Sequence, residues 1–354
     1  ISTDRKAFDR ESAVAKRFIQ YGTLVDELHI IIFSPRSLPL SKLQLSERVW
    51  LYPTNSRSGF LYIHDTILLG KGLGMFNLVT AQDPFETGKA AAALARYCKA
   101  RLEIQVHTDF LSPAFTAHSF LNSLRMLGAR YALIRADSIR VVSNRIKESL
   151  INRHYKLKTI PVVLPIFVDV EKIRSAPITV DLRKKYPQFT FRFLIASRLE
   201  RERNIALVLR SFPEVIKRYP QAGLIIVGEG KERPVLEKMV RDLGLSRNVV
   251  FEGWQSELAS YYKTAEVFLN TPWYEGYGRS LAEAAAIGMP IISTDVGIAR
   301  EVKATIVTPT FIVPVLRQCL ERLPPPSKFN APYKDEEDYL HRYGELWRSA
   351  GAVQ

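Results

Sequence analysis

Short apolar runs alternate with longer amphipathic stretches along most of this chain. Residues 28–33, 78–80, 102–106 and 139–142 are short, mainly apolar runs of strand length. Residues 12–21, ahead of the first run, and 87–99, between the second and third, are rich in helix formers. Residues 162–169 read as the last strand and exit of this first half. Residues 174–190 mix charges with Pro177 and Pro187 and suit a linker. A second series follows at 193–196, 223–227, 249–251, 267–269 and 290–293. Leu323-Pro324-Pro325-Pro326-Ser327 breaks the pattern, and the polar, aromatic-dotted stretch 335–350 reads as one closing helix. Strands alternating with helices predict an α/β protein of doubly wound parallel sheets. With 354 residues the chain exceeds what one core usually organises. The expected division is 1–172, 173–334 and a terminal helical segment 335–354.

Composition narrows the class. Hydrophobic residues make up 47% of the chain, enough for two cores, and no apolar run approaches the roughly 18 residues of a membrane-spanning helix. Ile1 falls inside a strand-like run. Cys98 and Cys319 stand far apart and form no metal-ligand spacing, so both thiols are expected as small apolar residues in a reducing, cytoplasmic setting. A net charge of +14 raises the question of nucleic acid. The basic residues are spread along the chain, and no zinc-finger or RNA-binding signature interleaves them with aromatics, so nucleic acid is set aside as a partner. An anionic membrane surface, on the inner face of the cytoplasmic membrane, stays open.

The densest chemistry lies in residues 271–290. Val267-Phe268-Leu269 reads as strand, residues 274–278 as a turn, and Ser280 onward as helix. A helix start at the end of a parallel strand presents unpaired N–H groups and a positive dipole end to an anion. Gly276 and Gly278 let the backbone come close to one. Glu275 on the loop and Glu283 on the helix can accept hydrogen bonds from sugar hydroxyls. Tyr277 and Arg279 fall in the same span.

That stretch, with seven residues between Glu275 and Glu283, resembles the donor-site signature of the retaining, nucleotide-sugar-dependent glycosyltransferases of the GT-B fold, called glycosyl transferases group 1. Residues 193–204 resemble the strand-loop-helix in which that family sets an Arg and a Lys against the donor diphosphate; here the cations are Arg198 and Arg203. Residues 224–230, 249–254 and 291–297 follow in the family's order, so the resemblance covers most of 190–301. It implies two Rossmann-like domains facing an interdomain cleft, with the closing helix crossing back to the first. It further implies transfer of a hexose from a UDP- or GDP-linked sugar to a glycan or lipid-linked acceptor, in cell-surface polysaccharide synthesis. In this reading Arg198 and Arg203 meet the diphosphate, Glu275 holds the donor sugar and Glu283 holds the ribose, while Trp254 either lies beside the base or caps a core. Gly228, Gly276, Tyr277, Gly278 and Arg279 complete the donor side. No cofactor or metal is expected, since the arginines and helix dipole can serve the leaving charge. The residues themselves leave the stereochemistry open.

In the first half, residues 81–88 and 105–110 sit at predicted strand ends, where open parallel sheets bind ligands. His107 resembles the family's active-site histidine near the anomeric carbon. Asp83 and Asp109 read as turn or N-cap residues. The chain also departs from the family. Residues 3–12 lack the glycine-rich loop that touches the diphosphate, Ile298 stands where a second glycine is usual, and 301–307 leaves little room for the usual turn. Two other classes remain: a different enzyme on the same scaffold, such as a phosphorylase, and a catalytically silent nucleotide-sugar or polyanion-binding protein.

Overall fold

The computed structural model describes residues 1–351. It divides into two compact units, one of Ile1–Pro165 together with the chain from Tyr333, the other of Ile166–Pro332. The boundary expected at 172/173 cuts through the helix Val170–Ser175, which Asp169 caps by accepting from Lys172 N and which packs on the helix Arg279–Ala286. That packing places the helix in the second unit and moves the division back to 165/166. The stretch taken as a linker is tied down as well: Thr179 N donates to Ser260 Oγ and Leu182 N to Thr264 Oγ1.

The first unit contains β1 (Leu28–Ile32), β2 (Leu43–Ser46), β3 (Val49–Pro53), β4 (Leu78–Ala81), β5 (Arg101–Val106), β6 (Ser138–Val141) and β7 (Val162–Val163). Strands β4 to β7 form a parallel sheet in sequence order, and β1-β3-β2 form a second sheet. Residues 1–2 run between the two. Ser2 exchanges backbone bonds with Ile31 and Phe33 beside β1, and Gln82 N donates to Ile1 O beyond β4. Two expectations are corrected here. The unit is not purely parallel, because β2 and β3, unread in the sequence, pair antiparallel. The strand expected over 162–169 ends at Val163, since β7 pairs with β6 only at Val162 and Val163.

The closing helix is Glu336–Ser349, with Asp335 as N-cap accepting from Asp338 N. It is shorter than the segment 335–354, whose last residues 352–354 lie outside the described residues. It belongs to the first unit. Tyr343 stacks on Tyr21 at 4.5 Å between ring centres, and Trp347 Nε1 donates to buried Glu103.

The second unit carries β8 (Phe191–Ala196), β9 (Ala222–Val227), β10 (Val249–Gly253), β11 (Val267–Asn270), β12 (Ile291–Ser293) and β13 (Thr305–Ile306). Their order is β10-β9-β8-β11-β12-β13, all parallel, which is the Rossmann arrangement with its switch point between β8 and β11. Strand β13 lies in the segment that looked short in sequence; it pairs with β12 at Ile292 and Ser293. Strand β9 is buried at every position, and Phe193, Phe212, Leu224, Ile226, Val267 and Leu269 meet in one apolar core.

Candidate active site

Ligands of an open parallel sheet bind beyond the carboxyl ends of its strands, at the point where strand order reverses. In the second unit the loops after β8 and β11 leave the sheet side by side there. Arg203 closes the first loop and pairs through Nη1 with Glu275 Oε2 on the second. Both side chains are mostly buried, and Arg203 Nε is a buried donor without a hydrogen-bond partner among the described residues. The two loops are further joined by Trp273 N donating to Glu202 O, and by Thr271 Oγ1 donating to Asn204 O. Arg198 differs from Arg203: its side chain is 70% exposed and meets Glu202 at 3.8 Å. It is free to reorient, whereas Arg203 is held.

The glycines explain how the loops come so close. A Cβ on Gly228, at φ +138°, would run into the Ser197 carbonyl, and one on Gly297, at φ +48°, would run into the Tyr277 carbonyl. Gly228 therefore seats the loop after β8, a packing role, and its N–H is spent on Gly253 O. Buried Ile298 donates its N–H to Tyr277 O, so the position where the resembled family has a second glycine serves here as an apolar anchor. Gly278, at φ +87°, is the N-cap of the helix Arg279–Ala286, and its carbonyl accepts from Leu281 N and Ala282 N. Gly276 and Tyr277 are buried within this turn.

Glu283 lies one turn into that helix and is nearly buried. Arg279 Nε donates to its Oε1 at 2.8 Å, and Tyr262 Oη donates to its Oε2 at 3.2 Å. Burial first, and Glu283 after it, hold the Tyr262 phenol well above its ordinary pKa, so it stays a donor. Sequence reasoning missed Tyr262, which sits in the short helix Ala259–Thr264 with no motif around it. Trp254 is 70% exposed and so does not cap the core.

In the first unit, His107 follows β5. Its Nε2 lies 3.1 Å from Gln105 Oε1, which also accepts from Arg140 Nη1, so the proton sits on Nε2 and Nδ1 is left as an acceptor. Burial, with Arg140 and Arg17 nearby, pushes the imidazole down to about 3, and it is neutral at physiological pH. Asp83 accepts from Phe85 N as a turn residue. Asp109 does not behave as a simple cap. It is buried, its Oδ1 has no hydrogen-bond partner among the described residues, and burial raises its pKa to about 6 despite nearby Arg145.

Residues 183–315 match the family model described as glycosyl transferases group 1. That stretch is where this chain is similar to the family. An uncharacterized glycosyltransferase of Methanocaldococcus jannaschii is 29% identical over 174 residues, 48% of this chain and 42% of that protein. The alpha-monoglucosyldiacylglycerol synthase of Acholeplasma laidlawii is 34% identical over 101 residues, 28% of this chain and 25% of that protein. The matched stretch thus spans less than half the length of these relatives. Among solved structures, Anabaena HepE in complex with UDP and glucose aligns over 99% of this chain and 93% of its own, with a TM-score of 0.69 and 16% identity. At that identity the likeness is one of fold, and the fold is GT-B. The segment similar to group 1 contains β8 to β13 and, with them, Arg198, Arg203, Gly228, Trp254, the 275–279 turn and Glu283.

Proposed function

We propose that this chain is a retaining glycosyltransferase that moves a hexose from a UDP- or GDP-linked sugar to a glycan or lipid-linked acceptor. The observation that carries the reading is the Arg203–Glu275 pair at the β8/β11 switch point, beside the start of the helix that bears Glu283. Cleaving a sugar–diphosphate bond leaves negative charge on the departing oxygen. Arg203, with an unspent buried donor, and exposed Arg198 would receive that charge along with the helix amides. Glu275 would take hydroxyls of the donor sugar, and Glu283, oriented by Arg279 and Tyr262, those of the ribose. Neutral His107 would act as a hydrogen-bonding group toward the sugar. This chemistry asks for no resident cofactor or metal.

The printed names of relatives lend support: one structural neighbour was solved with UDP and glucose, and one relative is a glucosyldiacylglycerol synthase. A lipid-linked acceptor and an anionic membrane surface draw on a further feature. The helix Phe120–Leu133 exposes Phe120, Leu124 and Leu127 on one face, with Arg130 and Arg135 on the same helix or just beyond it. Synthesis of cell-surface polysaccharide is the process that such acceptors suggest.

Calorimetric titration of the full chain with UDP, GDP, ADP and dTDP tests the donor site. Saturable binding of one diphosphate, lost in Glu283→Ala, is the expected result. Binding unaffected by Glu283→Ala and by Arg203→Ala would sink the site assignment. Donor binding without turnover on any acceptor would favour the silent, binding-only alternative.

A further inference from the structure

The second unit has a cavity of about 710 Å³ at the opposite edge of its sheet, where β11 and β12 begin. Ala265 and Pro290 line it just before those strands, so it lies away from the loops that hold Arg203 and Glu275. Its charge is one-sided. Arg174, Lys263 and Lys328 line it, and among the described residues no carboxylate does. Nearby Glu171 pairs with one end of Arg174 from outside the lining. The carbonyl end of the helix Arg279–Ala286 would repel an anion here, but Arg174 Nε covers it by donating to Ala286 O at 2.8 Å. Lys263 is fixed by donating to the carbonyls of Arg174 and Ala176, which leaves one of its three protons unspent. Buried Ser327 adds a hydroxyl with no hydrogen-bond partner among the described residues. Tyr262 and Phe329 supply aromatic wall.

We propose that this cavity is a second ligand site, taking a small phosphorylated molecule with a compact ring body, and that Tyr262 reports its occupancy to Glu283. The volume is that of an ordinary small-molecule pocket. Three cations with no carboxylate in the lining, a spare hydroxyl and a ring-bearing wall match a phosphate ester better than a neutral sugar or a cation. The link to the donor loops is one side chain long: Tyr262 lines the cavity, and its hydroxyl donates to Glu283 Oε2. A ligand that shifts the ring changes the carboxylate's partner and thereby the affinity for nucleotide. The coupling rests on the proposed role of Glu283; the binding does not.

The test is titration of the full chain with phenyl phosphate, with glycerol 3-phosphate and benzoate as separate arms, each with and without saturating UDP. Phenyl phosphate is expected to bind saturably, to keep binding when UDP is present, and to lose about tenfold or more in affinity in Lys328→Glu, a change at an exposed side chain. Glycerol 3-phosphate is expected to bind more weakly and benzoate not at all. Phenyl phosphate is also expected to shift UDP affinity a few-fold in the parent chain and not in Tyr262→Phe. Absence of phenyl phosphate binding at millimolar concentration, competition with UDP, or indifference to Lys328→Glu would overturn the site, and tighter binding of benzoate would overturn the phosphate class. An unchanged UDP affinity would overturn the coupling alone. If UDP does not bind at all, the donor reading fails, and the phenyl phosphate titration still decides the cavity.

Discussion

The two units solve the problem of a stable interior in different ways. The second is built from one continuous stretch of chain and fills its centre with Phe193, Phe212, Leu224 and Ile226. Its buried cation Arg192 sits at the start of β8, met by Glu266 through two bonds near 3 Å. The first unit instead places a polar network at its heart. Glu103 Oε2 accepts from Thr80, Gln105 and Trp347, while Arg140 donates to Gln105, Tyr339, Tyr343 and the carbonyls of Leu164 and Pro165. A buried charge is tolerable only when paired and hydrogen-bonded. Here three of the partners, Tyr339, Tyr343 and Trp347, come from the closing helix. Apolar packing therefore secures the second unit, and geometry-dependent bonds secure the unit that holds His107.

Arg140→Met breaks the comparison most directly. It leaves Gln105 and two tyrosine hydroxyls short of a partner and the buried Glu103 without its nearby countercharge, at a cost of about 3–5 kcal/mol. Hydrogen exchange should show protection lost in Glu336–Ser349 and β5 and retained in β8 and β9. The apolar counterpart is Phe212→Ala, which opens a cavity beside Phe193 and should cost about 3–4 kcal/mol in urea unfolding, with the loss confined to β8 and β9. Equal effects of the two changes on both units would show that the interiors do not differ in kind.

Asp109→Asn should act with the opposite sign. The carboxyl keeps its proton in the folded chain up to about pH 6, while an unfolded Asp releases it near 3.8, so its contribution to stability falls as pH rises between those values. Replacing it should stabilise the protein by about 1–3 kcal/mol above pH 6 and by almost nothing below pH 4. A gain that does not depend on pH would refute the assignment. The smallest effect on folding is expected at the exposed face of Phe120–Leu133. Leu127→Asp should change stability by about 0.5 kcal/mol or less, yet reduce cosedimentation with vesicles of anionic lipid; unchanged cosedimentation would remove the membrane reading.

Much of the second unit was legible because its signals are local. Apolar runs marked β8, β9, β10, β11 and β12, and the glycines at 276 and 278 marked the turn between β11 and its helix. The meeting of Arg203 with Glu275 was not legible, since 72 residues separate them and only the strand order makes them neighbours. Tyr262 was hidden for a related reason: a tyrosine in a six-residue helix carries no pattern until Glu283 is seen beside it. In the first unit, β2 and β3 are short and joined by two residues, so their alternation was too brief to stand out. Gln105 and Glu103 looked like ordinary strand polar positions, and nothing local announced that a helix more than 230 residues on would bond to them.

That last separation bears on how the chain is made. A ribosome delivers β4 to β7 long before it delivers Tyr343, and Arg140 must wait for a phenol 203 positions later. During that interval the second unit, contiguous in sequence, can complete its sheet by itself, while Glu103 and Arg140 remain hydrated in an open precursor. The order of synthesis is thus the reverse of the order of completion: the half that emerges first is sealed last.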